Sequence, residues 1–258
     1  PRTLFRKLAE LDPPSAARLL SGFVLQALRR EVERDSPFFR PGGVLSERDY
    51  LRVVQGRHWR TPYDLPEHGA LIRALSELAY AMQTPEPGGR SERMDLDCAQ
   101  ASAIVQDGPA GDVIGAAEAL GLLDEDLGRD RIAFVHRTVQ EYFAARRLAR
   151  QPEPDLVRVA WRASDTVPGV DEVIDGLAAM DPLPPLPTTG WEETTVLAAE
   201  MAGDPEAFGA GLVEPNLALA GRCAAQAQVR ERLSASSLDG LRWALVRRSR
   251  DPAADIRD

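Results

Sequence analysis

Phe134-Val135-His136-Arg137-Thr138-Val139-Gln140-Glu141-Tyr142-Phe143-Ala144-Ala145 is the stretch on which the reading of this chain turns. Arg131 to His136 alternates polar and apolar residues and closes on Phe-Val, the pattern of a short strand. Thr138 followed by Glu141 has capping-box spacing, which predicts a helix start at that point. Val139, Tyr142 and Phe143 fall on one face of that helix, and Ala145 and Ala149 extend the face. The stripe reads as core, with Tyr142 and Phe143 packing the helix onto what precedes it and Glu141 capping its own helix. His136 stands at the strand-to-helix junction, where a side chain can be aimed at something.

Working upstream, residues 94–136 read as a small α/β unit. Two short helices, Asp97 to Val105 and Val113 to Leu120, are split by Asp107-Gly108-Pro109. Leu122-Leu123, a turn-like Asp124-Glu125-Asp126-Leu127-Gly128 and the 131–136 strand then form a hairpin. Preceded by the helix that Leu71, Ile72, Leu75, Leu78, Ala79 and Met82 mark, this is the order of a winged helix-turn-helix domain. A polar Pro/Gly loop, 84–93, separates that helix from the unit. Further back, Ala16, Leu19, Leu20, Phe23, Val24, Ala27 and Leu28 predict an amphipathic helix over 15–34 with Ser15 as N-cap. Residues 35–67 read as a mostly irregular connection with one helix at about 46–54.

Downstream of 151 the pattern is one short helix after another. Pro154-Asp155 starts one and Asp171 another. Thr189 with Glu192 has capping-box spacing before Trp191, Val196, Leu197 and Met201. Asp204-Pro205 places an N-cap before a first-turn proline. Leu217, Ala220, Cys223 and Ala224 keep helical spacing, as do Leu238, Leu241, Ala244 and Leu245. No strict period is visible, but stacked helical pairs fit the pattern. The run from Asp181 to Pro187 reads as a stiff spacer, with a role as an SH3-type ligand as the alternative.

Composition narrows the chemistry. The 258 residues are 44% hydrophobic and 28% charged, with a formal net charge of −9. An acidic balance argues against nucleic acid or an anionic membrane as a generic partner. From 94 to 130 there are nine acids against one base, Arg129, and the candidate recognition helix carries Asp112 and Glu118 with no Lys or Arg. No apolar run reaches membrane-span length and no signal-peptide pattern opens the chain, so a cytoplasmic location is expected. Cys98 and Cys223 read as buried free thiols, with a single disulfide as the minority alternative. Lys7 is the only lysine and has no glycine near it, so the phosphate-cradling Gly-x-x-x-x-Gly-Lys-Ser/Thr loop is absent. His58, His68 and His136 and the two cysteines have no zinc spacing. No Gly-x-Ser-x-Gly elbow is present. Asp95/Asp97 and Asp124/Glu125/Asp126 read as solvated loop acids. No catalytic residue and no metal ligand is expected. A start at Pro1 and an end at Asp-Ile-Arg-Asp predict a piece of a longer protein.

Phe134 to Ala145 resembles the hallmark of NACHT-type signal-transduction ATPases of the STAND class, which includes the NOD-like receptors and many bacterial defence proteins. Ala70-Leu71-Ile72 through Leu78-Ala79-Tyr80-Ala81-Met82 resembles the first helix of that family's winged-helix domain. Ala119 to Leu123 resembles its helix-to-wing step. Trp191-Glu192-Glu193 to Met201-Ala202-Gly203 and Pro215 to Cys223 resemble its later helical segments. The resemblance covers most of residues 15–250, and its most specific part is 134–145.

It implies a mainly α fold with a small β-hairpin, divided as follows. Residues 1–35 would end the helical domain after the nucleotide-hydrolysing core, 36–67 would connect, 68–137 would be the winged helix, and 138–258 a superhelical sensor-side region. His136 matches the family's histidine that contacts the β-phosphate of bound ADP and holds the protein closed. Phe134, Thr138, Gln140, Glu141, Tyr142 and Phe143 match the surrounding structural motif. The resemblance further implies ADP or ATP with Mg in the parent protein and no cofactor in this part alone. The implied partners are the parent's own nucleotide-hydrolysing domain and a protein or small-molecule trigger, with oligomerisation on activation. The alternative reading is a winged-helix transcription regulator with a helical ligand-sensing domain.

Overall fold

The computed structural model describes residues 15–56, 59–84, 95–105, 110–126, 128–159 and 188–250. The chain is mainly helical with a small three-stranded antiparallel sheet. It divides into two compact units, Pro1–Arg147 and Leu148–Asp258.

In the first unit, α1 (Ala16–Glu33) starts where the Ser15 side chain accepts from the Arg18 N–H, as the sequence predicts. The 35–67 connection is more ordered than its Pro/Gly content suggests. A 3₁₀ turn (Pro37–Phe39) and helix α2 (Glu47–Gln55) bury Phe39, Val44, Leu45, Val53 and Leu65. Helix α3 (Ala70–Gln83) is deeply buried, with Leu71, Ile72, Leu75, Leu78, Ala79 and Met82 shielded from solvent.

Asp95 and Asp97 do not lie in a solvated loop. They flank strand β1 (Asp95–Asp97), whose central Leu96 is buried and pairs with Ile132. Asp97 then caps α4 (Cys98–Ile104) in a full capping box with Gln100. Helix α5 (Ala110–Ala119) follows, and a Cβ on Gly115 would lie 2.7 Å from the Phe38 ring, so glycine permits that close approach. The acids 124–126 are likewise in strand β2 (Leu123–Asp126) rather than a turn, because β3 (Arg131–Phe134) offers them a ladder. The strand predicted over 131–136 ends at Phe134. The sheet order is β1-β3-β2, with Ala133 opposite both Asp95 and Asp124. Arg131 lies 2.5 Å from the Asp95 carboxylate.

Helix α6 (Arg137–Arg150) begins one residue before Thr138. Glu141 accepts from Arg137 Nε at 2.8 Å, an i,i+4 pair in place of the predicted Thr138–Glu141 box. Phe134 and Phe143 stack at 5.9 Å, and Tyr142 meets Phe143 edge-on at 5.2 Å. Tyr142 is fully buried, and its hydroxyl bonds Ser21 Oγ at 2.8 Å and accepts from Arg146 Nη1 at 3.0 Å.

In the second unit, Pro154–Val157 is a 3₁₀ turn rather than an α-helix, since only a short i→i+3 stretch forms. Helices α7 (Glu192–Met201), α8 (Pro205–Leu212) and α9 (Leu217–Ala225) pack around Trp191, Leu197, Phe208, Leu212, Leu219 and Cys223. Glu192 accepts from the Thr189 N–H at 2.7 Å, and Asp204 caps α8 ahead of Pro205, both as the spacing predicts. Asn216 Nδ2 donates to the Val157 carbonyl, fixing the 3₁₀ turn against α9. A single turn, α10 (Ala227–Arg230), leads to α11 (Ala235–Ser249). Helix α11 buries no residue among those described, and Trp243 is 73% exposed, which the apolar spacing of Leu238, Leu241, Ala244 and Leu245 does not anticipate. Cys98 and Cys223 are free thiols. Expectations for Lys7, His58, a helix at Asp171 and the 181–187 proline run fall outside the described residues.

Tyr142→Phe keeps the ring and removes one buried hydroxyl shared by two partners. We expect it to lower the unfolding free energy by about 1–2 kcal/mol, read from urea titration of the chain.

Candidate functional site

His136 lies two residues past the end of β3 and immediately before α6. Its carbonyl accepts from the Val139 N–H at 3.0 Å and the Gln140 N–H at 3.2 Å, which starts the helix. Its ring Nδ1 accepts from the Thr138 N–H at 3.1 Å. The histidine thus fills the place that serine or aspartate takes at most helix starts. An accepting Nδ1 carries no proton, so the neutral ring bears its hydrogen on Nε2. His136 is exposed, and that Nε2–H is a donor facing away from the helix it caps. The flanking residues are inward: Phe134, Gln140, Tyr142 and Phe143 are buried, with Thr138 and Glu141 half-buried.

A second concentration of functional groups lies in the same unit but away from His136. A pocket of about 600 Å³ is lined by Arg48, Arg52, Arg60, Asp64, Leu65, Glu67, His68 and Arg146. Arg48 and Arg52 are one turn apart on α2, so both project from one face. Arg52 rests on the Trp59 ring at 4.5 Å and lies 3.9 Å from Asp64. Burial raises the Asp64 pKa, but the Thr61 hydroxyl, the Arg60 and Thr61 N–H groups and Arg52 outweigh it. The net direction is down, so the carboxylate stays ionised.

His68, in the bend before α3, is tied to α2. Asp49 is fully buried and accepts from the His68 N–H at 2.7 Å and the Gly69 N–H at 2.9 Å, while His68 Nδ1 lies 3.1 Å from its other oxygen. Gly69 is required in this clasp, because a Cβ would sit 2.5 Å from the Val44 carbonyl oxygen. Sequence reasoning missed the pocket. The i,i+4 spacing of Arg48 and Arg52 was a usable signal, whereas Arg146 joins from α6, far along the chain.

Among the described residues no group of three or more His, Cys, Asp or Glu could hold a metal ion, and no helix is long and apolar enough to cross a membrane. Burial, with Asp130 and Glu125 beside it, raises the Cys98 pKa to about 11, and burial raises that of Cys223 to about 12. Neither thiol is poised as a nucleophile. Comparison with protein-family models, with curated proteins and with solved structures found no match.

Two measurements test this geometry. Asp49→Ala strips the acceptor from three donors at a fully buried position and is expected to cost about 3 kcal/mol of stability, measured by chemical denaturation. A raised thiol pKa leaves less thiolate, so iodoacetamide at pH 8 should label both cysteines at least about tenfold more slowly than free glutathione. Labelling of either at the glutathione rate in the folded chain contradicts the assigned environments.

Proposed function

We propose that this chain is the regulatory and sensor-side part of a NACHT-type STAND ATPase, with His136 contacting the β-phosphate of bound ADP. The observation that carries the reading is the Thr138 N–H bond to His136 Nδ1, which in a neutral ring leaves the Nε2–H of an exposed residue to solvent or to a ligand's acceptor. A phosphate oxygen suits that donor, and the neutral ring suffices for the contact. The residues present therefore fit the group, and ADP supplies the anionic acceptor that latches the junction shut.

The winged-helix assignment is supported by the element order helix–strand–helix–helix–strand–strand with the first strand paired to the last. The superhelical assignment for the later residues is supported by the packing of α9 against α7, α8 and α11. Helix α5 carries Asp112 and Glu118 and no basic residue, which disfavours reading this element as a DNA reader. On this reading nucleotide hydrolysis and Mg belong to the P-loop region of the parent, and the present residues gate it. His136 would hold the phosphate, and α6, which starts beside it, would move with the junction.

The test joins the chain to its parent's P-loop region and follows retention of labelled ADP. His136→Ala should release ADP roughly tenfold faster, the scale of one lost hydrogen bond to a charged group. Unchanged retention overturns the role given to His136.

A further inference from the structure

We propose that the pocket lined by Arg48, Arg52, Arg60, His68 and Arg146 is a binding site for a phosphate-bearing ligand, separate from the one at His136. The charges that line this concavity do not balance. Four guanidinium groups and a histidine face it, against two carboxylates. Both carboxylates are engaged. Glu67 accepts from Arg146 Nε at 3.1 Å, and Asp64 accepts from the Thr61 hydroxyl at 2.6 Å and the Arg60 N–H at 2.8 Å while flanking Arg52. Arg48 and Arg60 have no side-chain partner among the described residues. Two guanidinium groups without an ion pair among the described residues therefore line one cavity, in a chain whose overall charge is −9.

Like charges gathered in one concavity repel, and an anion reverses the sign of that energy. Guanidinium forks match phosphate oxygens bidentately, which favours phosphate over a monovalent ion. The pocket is also partly built in advance. Trp59 stacks under Arg52, Asp49 orients His68, and the Glu67 carboxylate and the Tyr63 carbonyl hold Arg146. Its volume of about 600 Å³ is that of a small-molecule site, larger than one inorganic ion requires. On α6, Arg146 is ten residues beyond His136, about 15 Å of helix, so one phosphate group cannot serve both.

Titration calorimetry of the chain with inorganic pyrophosphate at fixed ionic strength tests the site. Saturable binding is expected, weakened at least about tenfold by Arg48→Gln with Arg60→Gln, two exposed positions whose replacement leaves the core intact. Arg129→Gln, an exposed arginine of the same unit outside the pocket, should leave pyrophosphate binding unchanged. No saturable binding, equal binding by the double variant, or loss of binding on Arg129→Gln each overturns the proposal. A parallel titration with ADP separates two sources of the same chemistry. Tighter binding of ADP than of pyrophosphate at the same arginines assigns the site to nucleotides, and equal binding assigns it to free polyphosphate; both support it.

Discussion

The first unit is organised around a buried positive charge. Arg146 is shielded from solvent on α6, donating to Glu67, to the Tyr63 carbonyl and to the Tyr142 hydroxyl, which in turn meets Ser21 on α1. Burial alone favours losing the charge. Tyr142 and Glu67 outweigh it and hold the guanidinium above its ordinary pKa. A buried cation must be answered by partners with little freedom of position, and these come from three separate parts of the sequence. The network thus sets the register between α1, the 59–69 segment and α6. The aromatic contacts of Phe134, Tyr142 and Phe143 then fix the helix against β3.

Much of this was legible one element at a time. Ser15, Asp204-Pro205 and the 71–82 apolar face each carry their own physical instruction, and each element forms where that instruction stands. Strand β1 was not legible because Asp-Leu-Asp has no strand propensity of its own. It forms because Ile132 offers Leu96 a buried partner and Arg131 offers Asp95 a counter-charge, neither of which is local. The same reason hides Asp124 to Asp126, whose acids occupy the solvent-facing edge of a ladder. Residues 35–67 misled in the opposite sense, since glycines and prolines there permit tight turns that bury Phe39 and Leu45 instead of loosening the chain.

The candidate sites divide along the same line. His136 could be singled out from twelve consecutive residues, because a junction is a local event. The sequence did not reveal that its Nδ1 replaces the Thr138–Glu141 cap, and that replacement is what determines which nitrogen faces outward. The arginine pocket is a non-local event. Its members come from α2, from the 60–68 segment and from α6, and no window of sequence contains them together.

Net charge is a poor guide to such a place. An excess of carboxylates disfavours long-range attraction of polyanions, and it says nothing about a concavity a few ångströms across. In this chain the acids are placed on β2, on α5 and at helix starts, where ladders and backbone N–H groups receive them. Arg48, Arg52, Arg60 and Arg146 share one cavity with Asp64 and Glu67. Helix α6 carries the outward imidazole at its first turn and the buried guanidinium near its far end, joined by a continuous hydrogen-bonded rod. A rotation of that rod large enough to withdraw His136 must also disturb the partners of Arg146, so the buried charge resists independent motion of the junction.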